Sequence, residues 1–317
     1  MSKTDEGPIR LTPSLLPRSP NFDVTESSFF RKYRELPSPE GVEAQAKAQH
    51  LAGVNPDPRR GFSIAGPHYR PPPVLFEDTG LLVKWGSGIR VSEGLTLYAI
   101  YQLLSDQVPV PEVYGWRTEG KKVYIYMHYI KGQNMEKPWD SLEPDDHVKI
   151  SSELRKIWDS IRSLEQDPAD PFVGNIAREP LYDRAFATSY VHEAGPFATA
   201  LDFHNWFTFL PRKPMSDPYS VPIEPFRHDL PDDCPVKFTH GDLHRSNILI
   251  SNHRPYRVLA IVDWEQSGWL PAYWEDRKAH YTVWREEEWS TMYLPIILDQ
   301  YNSTWDPWDY YTVSMGC

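Results

Sequence analysis

Cysteine is nearly absent. Of 317 residues only Cys234 and Cys317 carry a thiol, too few for a disulfide framework. Long apolar runs are absent too: no stretch is long enough to span a bilayer, and the first residues hold no apolar segment of the signal-peptide kind. Cys317 is the final residue, so no C-terminal prenylation box is expected, and the sequon Asn302-Ser303-Thr304 reads as incidental. Basic charge is in deficit. Lys and Arg number 33 against 44 Asp and Glu, and the net charge of −11 argues against general nucleic-acid binding, which needs clustered cations. These shortages predict a cytoplasmic protein with no membrane segment and no nucleic-acid partner.

What is present describes a folded chain, long enough for one large domain or two lobes. Hydrophobic residues make up 40% and charged residues 24%, with 12 Trp and 18 Tyr to fill a core. Residues 1–25 are polar and proline-bearing and predict a loose arm. "SPEGVEAQAKAQHL" opens with a helix start at Ser38 and Pro39. "GLLVKW" (80–85) and "KKVYIYMHYIKG" (121–132) predict strands; between them "VSEGLTLYAIYQLLSD" predicts a helix with Leu95, Tyr98, Ala99 and Leu103 near one face. Past Gly132 the pattern changes. "EPDDHVKISSELRKIWDSIRSL" is an amphipathic helix with Leu154, Ile157, Trp158, Ile161 and Leu164 on its apolar side. "ALDFHNWFTFL" is a further helix, 211–235 a loop, and 274–301 reads as helices. A small strand-rich half, 26–132, thus precedes a larger helical half, 133–317.

The stretch "FTHGDLHRSNILIS" (238–251) carries most of the chemistry. His240 and His244 stand four apart, as in the zinc motif H-E-x-x-H, but that motif needs a helix. Here Gly241 follows the first histidine and both flanks read as strands, so zinc is disfavoured. Phosphoryl transfer asks for more: a carboxylate to act on a hydroxyl, an amide oxygen for a cation, and a second carboxylate on the next strand reaching the same Mg²⁺. Asp242, Asn247 and Asp263 meet that order. A simple hairpin would explain Asp242 alone, not the ordered set. Lys84 is a charge in mid-strand, an awkward place unless paired, and Glu93 opens the following helix where it can reach back.

"THGDLHRSNILI" and "AIVDWEQSGWLPAYWEDRKA" resemble the catalytic loop and metal-binding segment of aminoglycoside phosphotransferase-like kinases, above all their fungal group. "LLVKWGSGIRVSEGLTLY", "VPVPEVYGW", "VYIYMHYIKG" and "DPFVGNIAREPLYD" match in order, so the resemblance spans residues 70–300. It implies an α+β, two-lobed protein-kinase-like fold with a small β-rich N-lobe and a larger, mostly helical C-lobe, binding ATP and Mg²⁺ in the cleft. By resemblance Lys84 contacts the α- and β-phosphates and Glu93 holds it. Asp242 acts on the hydroxyl of a small-molecule acceptor, while Asn247 and Asp263 bind Mg²⁺. His128, where the family commonly has Glu, and Ile130 offer backbone groups to adenine. The acidic charge is compatible with a cationic acceptor; the acidic run "WREEEW" (284–289) reads first as a solvated helix face. One departure stands out. Where kinases carry a Gly-rich loop over the phosphates, this chain has Pro71-Pro72-Pro73, which donate no N–H, with Gly61 and Gly66 upstream as a looser cradle.

Overall fold

The computed structural model describes residues 8–61, 70–188, 191–223 and 225–316, so Gly66 lies outside the described residues. The chain divides into two units. One takes Leu16–Gly132 with Leu259–Glu265; the other takes Met1–Leu15, Gln133–Val258 and Gln266–Cys317.

The strand-rich unit is built on β1 (Phe22–Asp23), β2 (Val74–Phe76), β3 (Leu81–Gly86), β4 (Val113–Glu119) and β5 (Lys122–His128), in the sheet order β1-β4-β5-β3-β2. Every pairing is antiparallel. Strand side chains alternate between faces, and this settles where Lys84 goes. Leu81, Val83 and Trp85 share a core with Phe29, Tyr124, Tyr126 and two residues of α1 (Pro39–Leu51), Val42 and Ala46. Leu82 and Lys84 therefore take the opposite face. There α2 (Val91–Leu104) comes close: a Cβ on Gly94 would sit 3.5 Å from the side chains of Ile125 and Trp116.

Local signals explain the helix ends. The Ser38 hydroxyl accepts from Gly41 N at 3.2 Å, and Pro39 fills the first helical position, where its missing N–H costs nothing. In α2 Leu95 and Ala99 are buried as expected, but so are Leu97, Ile100 and Leu104, while Tyr98 and Leu103 are half-buried. A helix apolar on most of its surface has no single stripe for periodicity to reveal.

The larger unit is mostly helical: α3 (Pro144–Arg162), α4 (Ala200–Phe209), α5 (Trp274–Tyr281), α6 (Leu294–Ile297) and α7 (Trp305–Met315). Short strands β6 (Gln133–Asn134), β7 (Val236–Thr239), β8 (Ile248–Ile250), β9 (Val258–Ile261) and β10 (Gly268–Pro271) lie between them; β6 pairs with β8, and β7 with β10. From Leu259 the chain belongs to the strand-rich unit, where Ile261 N donates to Pro109 O at 2.9 Å. The apolar stripe of α3 is buried as spaced, and Phe203, Phe207, Trp274, Trp308 and Tyr311 form a mostly aromatic core. The whole is α+β, as the sequence predicts, with an antiparallel sheet in one unit and mostly helices in the other. No helix among the described residues is long and apolar enough to cross a membrane.

Two expectations need correction. Residues 8–25 are not a loose arm: Leu11 N donates to Glu165 O at 2.9 Å, and Phe22–Asp23 adds an edge strand opposite Trp116 and Gly115. Segments this short have no periodicity to read. Nor is 274–301 helical throughout. α5 ends at Tyr281, and the acidic run crosses a turn instead of a helix face. Thr282 and Val283 are poor helix formers.

Candidate functional site

Two constellations carry the chemistry-bearing residues, one in each unit. In the strand-rich unit Lys84 Nζ donates to Glu93 Oε1 and to Asp263 Oδ1, both at 2.6 Å. β3 supplies the lysine, the first turn of α2 the glutamate, and the turn after β9 the aspartate. Asp263 adopts φ +67°, a left-handed conformation that aspartate tolerates better than most residues and that marks a backbone held for its side chain. Its second oxygen faces Arg60, with Nη2 at 3.4 Å. Glu265, also buried, is paired with Arg70, whose Nε donates to Gly88 O at 3.1 Å.

Charge balance sets the ionisation. Burial works against the Lys84 ammonium, yet the Asp263 and Glu93 carboxylates outweigh it and hold the lysine above its ordinary value. Burial likewise opposes charge on Asp263, and Lys84 followed by Arg60 overrides it, leaving that carboxyl well below the usual range. Glu93 goes the other way. Its burial exceeds the pull of Lys84, and Asp263 adds repulsion, so its carboxyl is held above the ordinary value.

In the helical unit, β7 ends at Thr239 and the chain turns through His240-Gly241-Asp242 to a short helical turn at Arg245–Asn247. Asn247 Nδ2 donates to Asp242 Oδ2 at 2.9 Å and to its carbonyl at 3.0 Å. With its nitrogen spent on Asp242, the atom the amide has to offer a cation is its oxygen. His240 is a supporting residue, as its surroundings demand: fully buried, it accepts from Asp242 N at 3.2 Å and packs edge-on against Trp158 at 6.1 Å. His244 pairs with Ser246 Oγ at 2.7 Å. Neither histidine joins a metal-holding group among the described residues.

Sequence reasoning missed Glu275. From α5 its carboxylate accepts from His240 N at 2.6 Å and Gly241 N at 3.3 Å, clamping the loop from beneath. Burial pushes its carboxyl above the ordinary value against the pull of His240 and Arg162. α5 is itself pinned by Lys278 and Trp274, which donate to the two oxygens of Asp183 at 2.7 and 2.8 Å. "WEDRKA" spells a charged helical segment, although α5 is buried on nearly every side, so nothing in it signals a contact 35 residues back. Arg245, beside the loop, pairs with Glu287 of the acidic run and lies 5.4 Å over the Trp139 ring.

Gly241 makes the loop possible. It sits at φ +75°, and a Cβ there would come within 2.6 Å of Gln266 O. Gly241→Ala is therefore expected to lose about 1–3 kcal/mol to backbone strain alone, before the clash is added. Chemical denaturation would show it; an unchanged midpoint would mean the loop can be rebuilt.

His128 and Ile130 follow β5. His128 N donates to Glu112 O at 2.8 Å, and the Ile130 carbonyl accepts from Gly132 N at 3.0 Å, leaving His128 its carbonyl and Ile130 its N–H as the groups to offer a ligand. The proline run is tied down through carbonyls: Pro72 O accepts from Trp85 Nε1 and Pro73 O from Gln49 Nε2, both at 3.3 Å.

A profile of the phosphotransferase enzyme family, APH, matches residues 94–311, more than half the chain and the region that holds Asp242, Asn247, Asp263 and Glu275. The chain belongs to this phosphotransferase family. No curated protein matches it. Among solved structures it is similar to a thermostable mutant of aminoglycoside phosphotransferase APH(4)-Ia in its apo form, at 16% identity over 86% of this chain and 97% of that one, TM-score 0.47. An aminoglycoside-3'-phosphotransferase of type VIII gives 17% identity over the same shares, TM-score 0.45. A ternary complex of the APH(4)-Ia mutant with ADP and hygromycin B gives 15%, again over 86% and 97%, TM-score 0.49. At such identity and superposition these likenesses decide neither substrate nor site.

For a phosphotransferase of this family the implied cation is Mg²⁺, and the Asp263 carboxylate and the Asn247 amide oxygen are hard donors of the type it prefers. Oxygens of Glu93, Asp263 and Glu265 lie within 4.8 Å of one another, with Lys84 donating to the first two. Glu93 Oε2 is buried without a hydrogen-bond partner among the described residues.

Proposed function

We propose that the chain transfers the γ-phosphoryl group of ATP to a hydroxyl of a small molecule. The observation that carries this is Lys84: a buried cation on a strand, held by a helix-borne glutamate and by an aspartate in a left-handed turn. Such an arrangement is costly to bury and suits a polyanionic ligand better than a packing role. In this reading Lys84 contacts the α- and β-phosphates, Glu93 fixes Lys84, and the backbone groups of His128 and Ile130 receive adenine. Asn247 and Asp263 hold Mg²⁺, which when bound neutralises phosphate charge. Asp242 orients the acceptor hydroxyl and takes its proton as the oxygen attacks phosphorus and the bond to the β-phosphate oxygen breaks. The acceptor class suggested by a net charge of −11 is cationic.

The test is a panel of hydroxyl compounds, cationic and neutral, incubated with ATP and Mg²⁺ and read by mass spectrometry for a phosphorylated product. A product formed by the wild type and not by Asp242→Asn supports the reading. A nucleotide-binding module without transfer is the second reading, favoured by Pro71-Pro72-Pro73, whose nitrogens have no proton to give a phosphate. Tight ATP binding with no product across the panel would select it.

A further inference from the structure

Proline at 71–73 leaves a question of supply: what donates hydrogen bonds to the nucleotide phosphates in place of a Gly-rich loop? The loop before it offers an answer. Asn55 Oδ1 accepts from Asp57 N at 3.0 Å, and Asn55 Nδ2 donates to Arg60 O at 3.1 Å. Arg60 N closes the turn on Asp57 O at 3.0 Å. The Asp57 carboxylate then takes Arg59 Nε at 2.8 Å on one oxygen and Arg60 Nε at 3.1 Å on the other. A short polar loop with no core of its own is thus cross-braced so that Arg60 has one direction to point.

That direction is Asp263. Arg60 is mostly buried, with Nη2 at 3.4 Å from Asp263 Oδ2, a long and weak contact, while Lys84 holds Oδ1 at 2.6 Å. Arg60 Nη1 is buried with no hydrogen-bond partner among the described residues. A guanidinium carries five donors in a planar fork suited to phosphate, and this one has spent Nε well, Nη2 poorly and Nη1 on nothing. A buried donor left without an acceptor is destabilising unless something arrives to accept from it.

We propose that Arg60 is a phosphate-binding residue, its Nη1–Nη2 edge taking oxygens of a nucleoside di- or triphosphate and replacing the backbone donors that the proline run removes. This rests on the reading of the chain as an ATP-dependent phosphotransferase and adds a residue to it. The 3.4 Å contact of Arg60 with Asp263 is weak enough to be given up, so where Asp263 would hold a cation the guanidinium would be free to take phosphate oxygens. Arg59, more exposed and held by the same aspartate, stays with Asp57.

Calorimetric titration of ATP, ADP and adenosine, each with Mg²⁺, into wild type, Arg60→Ala and Arg60→Lys decides the matter. Arg60→Ala is expected to weaken ATP and ADP about 10- to 100-fold, the range for hydrogen bonds to a charged group, and to leave adenosine within about twofold. Arg60→Lys keeps the charge without the fork and should recover part of the loss. Unchanged or tighter ATP binding by Arg60→Ala would make the arginine a counter-ion to Asp263 and overturn the inference while leaving the kinase reading intact. Equal losses for ATP and adenosine would assign the effect to folding and overturn it too. A wild type that binds adenosine and ATP equally, or neither, sinks the nucleotide reading itself, and the role of Arg60 with it.

Discussion

Asp263→Asn is expected to abolish the Mg²⁺-dependent part of the thermal stabilisation by ATP. With nucleotide at roughly 100 times its Kd, linkage predicts about 2.7 kcal/mol of stabilisation for the wild type, read as a rise in Tm. Asparagine is the informative substitution because it tolerates the left-handed backbone at φ +67°, whereas alanine would add strain to the loss of charge. Losing the carboxylate removes one of the two acids on Lys84 and the anion facing Arg60 Nη2. Breaking a buried pair from one side costs about 3–5 kcal/mol, so the variant should also melt lower before any ligand is added. A variant that keeps the full Mg²⁺-dependent shift would remove Asp263 from cation binding.

The same residue gives a pH signature. The Asp263 carboxyl is depressed in the folded state, so its contribution is present above the ordinary carboxylate value near pH 4 and fades as pH falls toward the folded one. Lys84 is raised, so its contribution is complete below its ordinary value of about 10.4 and fades only as pH rises beyond that. The stability gap between wild type and Asp263→Asn should therefore narrow below about pH 4, while Glu93, raised partly by Asp263, adds a second pH dependence above its own ordinary value that the variant loses. A gap that did not narrow at acid pH would mean the Asp263 carboxylate is not held by Lys84.

Legibility in the sequence followed the range of the forces involved. Ser38-Pro39 marked the start of α1 because a cap acts within one turn. Lys84 was conspicuous because strand alternation makes a mid-strand charge costly, and that local anomaly led to Glu93 nine residues on. The order Asp242, Asn247, Asp263 was readable as a motif. Arg60 was not: its contact with Asp263 spans 203 residues, and "PDPRRG" taken alone is only a polar turn. Glu275 was hidden for a related reason, since an acid in a charged helical segment reads the same in sequence whether it faces solvent or the backbone of a loop. The N-terminal edge strand of two residues is too short for any period, and its pairing with β4 is decided wholly by the sheet. Local chemistry could be read, and long-range partners could not.

Asp242→Asn separates chemistry from binding. Asp242 is buried at the foot of a loop whose shape depends on its carboxylate accepting from Asn247 Nδ2 and on its N–H meeting His240 Nδ1. Asparagine can keep both contacts, turning its own Oδ1 toward Asn247, so the loop and the cation-binding amide hold their places. What it cannot do is take a proton. General-base assistance contributes about 10²–10⁴-fold, and kcat on any acceptor found by the panel should fall by that amount. The KM for ATP should stay within about twofold, because the lost interaction belongs to the transition state and not to nucleotide binding. Asp242→Ala would lower kcat as well but would also free Asn247, so a rise in the Mg²⁺ requirement in that variant alone would measure how far Asp242 positions the amide. Undiminished kcat in Asp242→Asn would mean the hydroxyl gives up its proton late and unaided, leaving Asp242 an orienting residue. A matching loss of ATP affinity would place it in the cation site, and the division of labour between Asp242 and Asn247 would have to be redrawn.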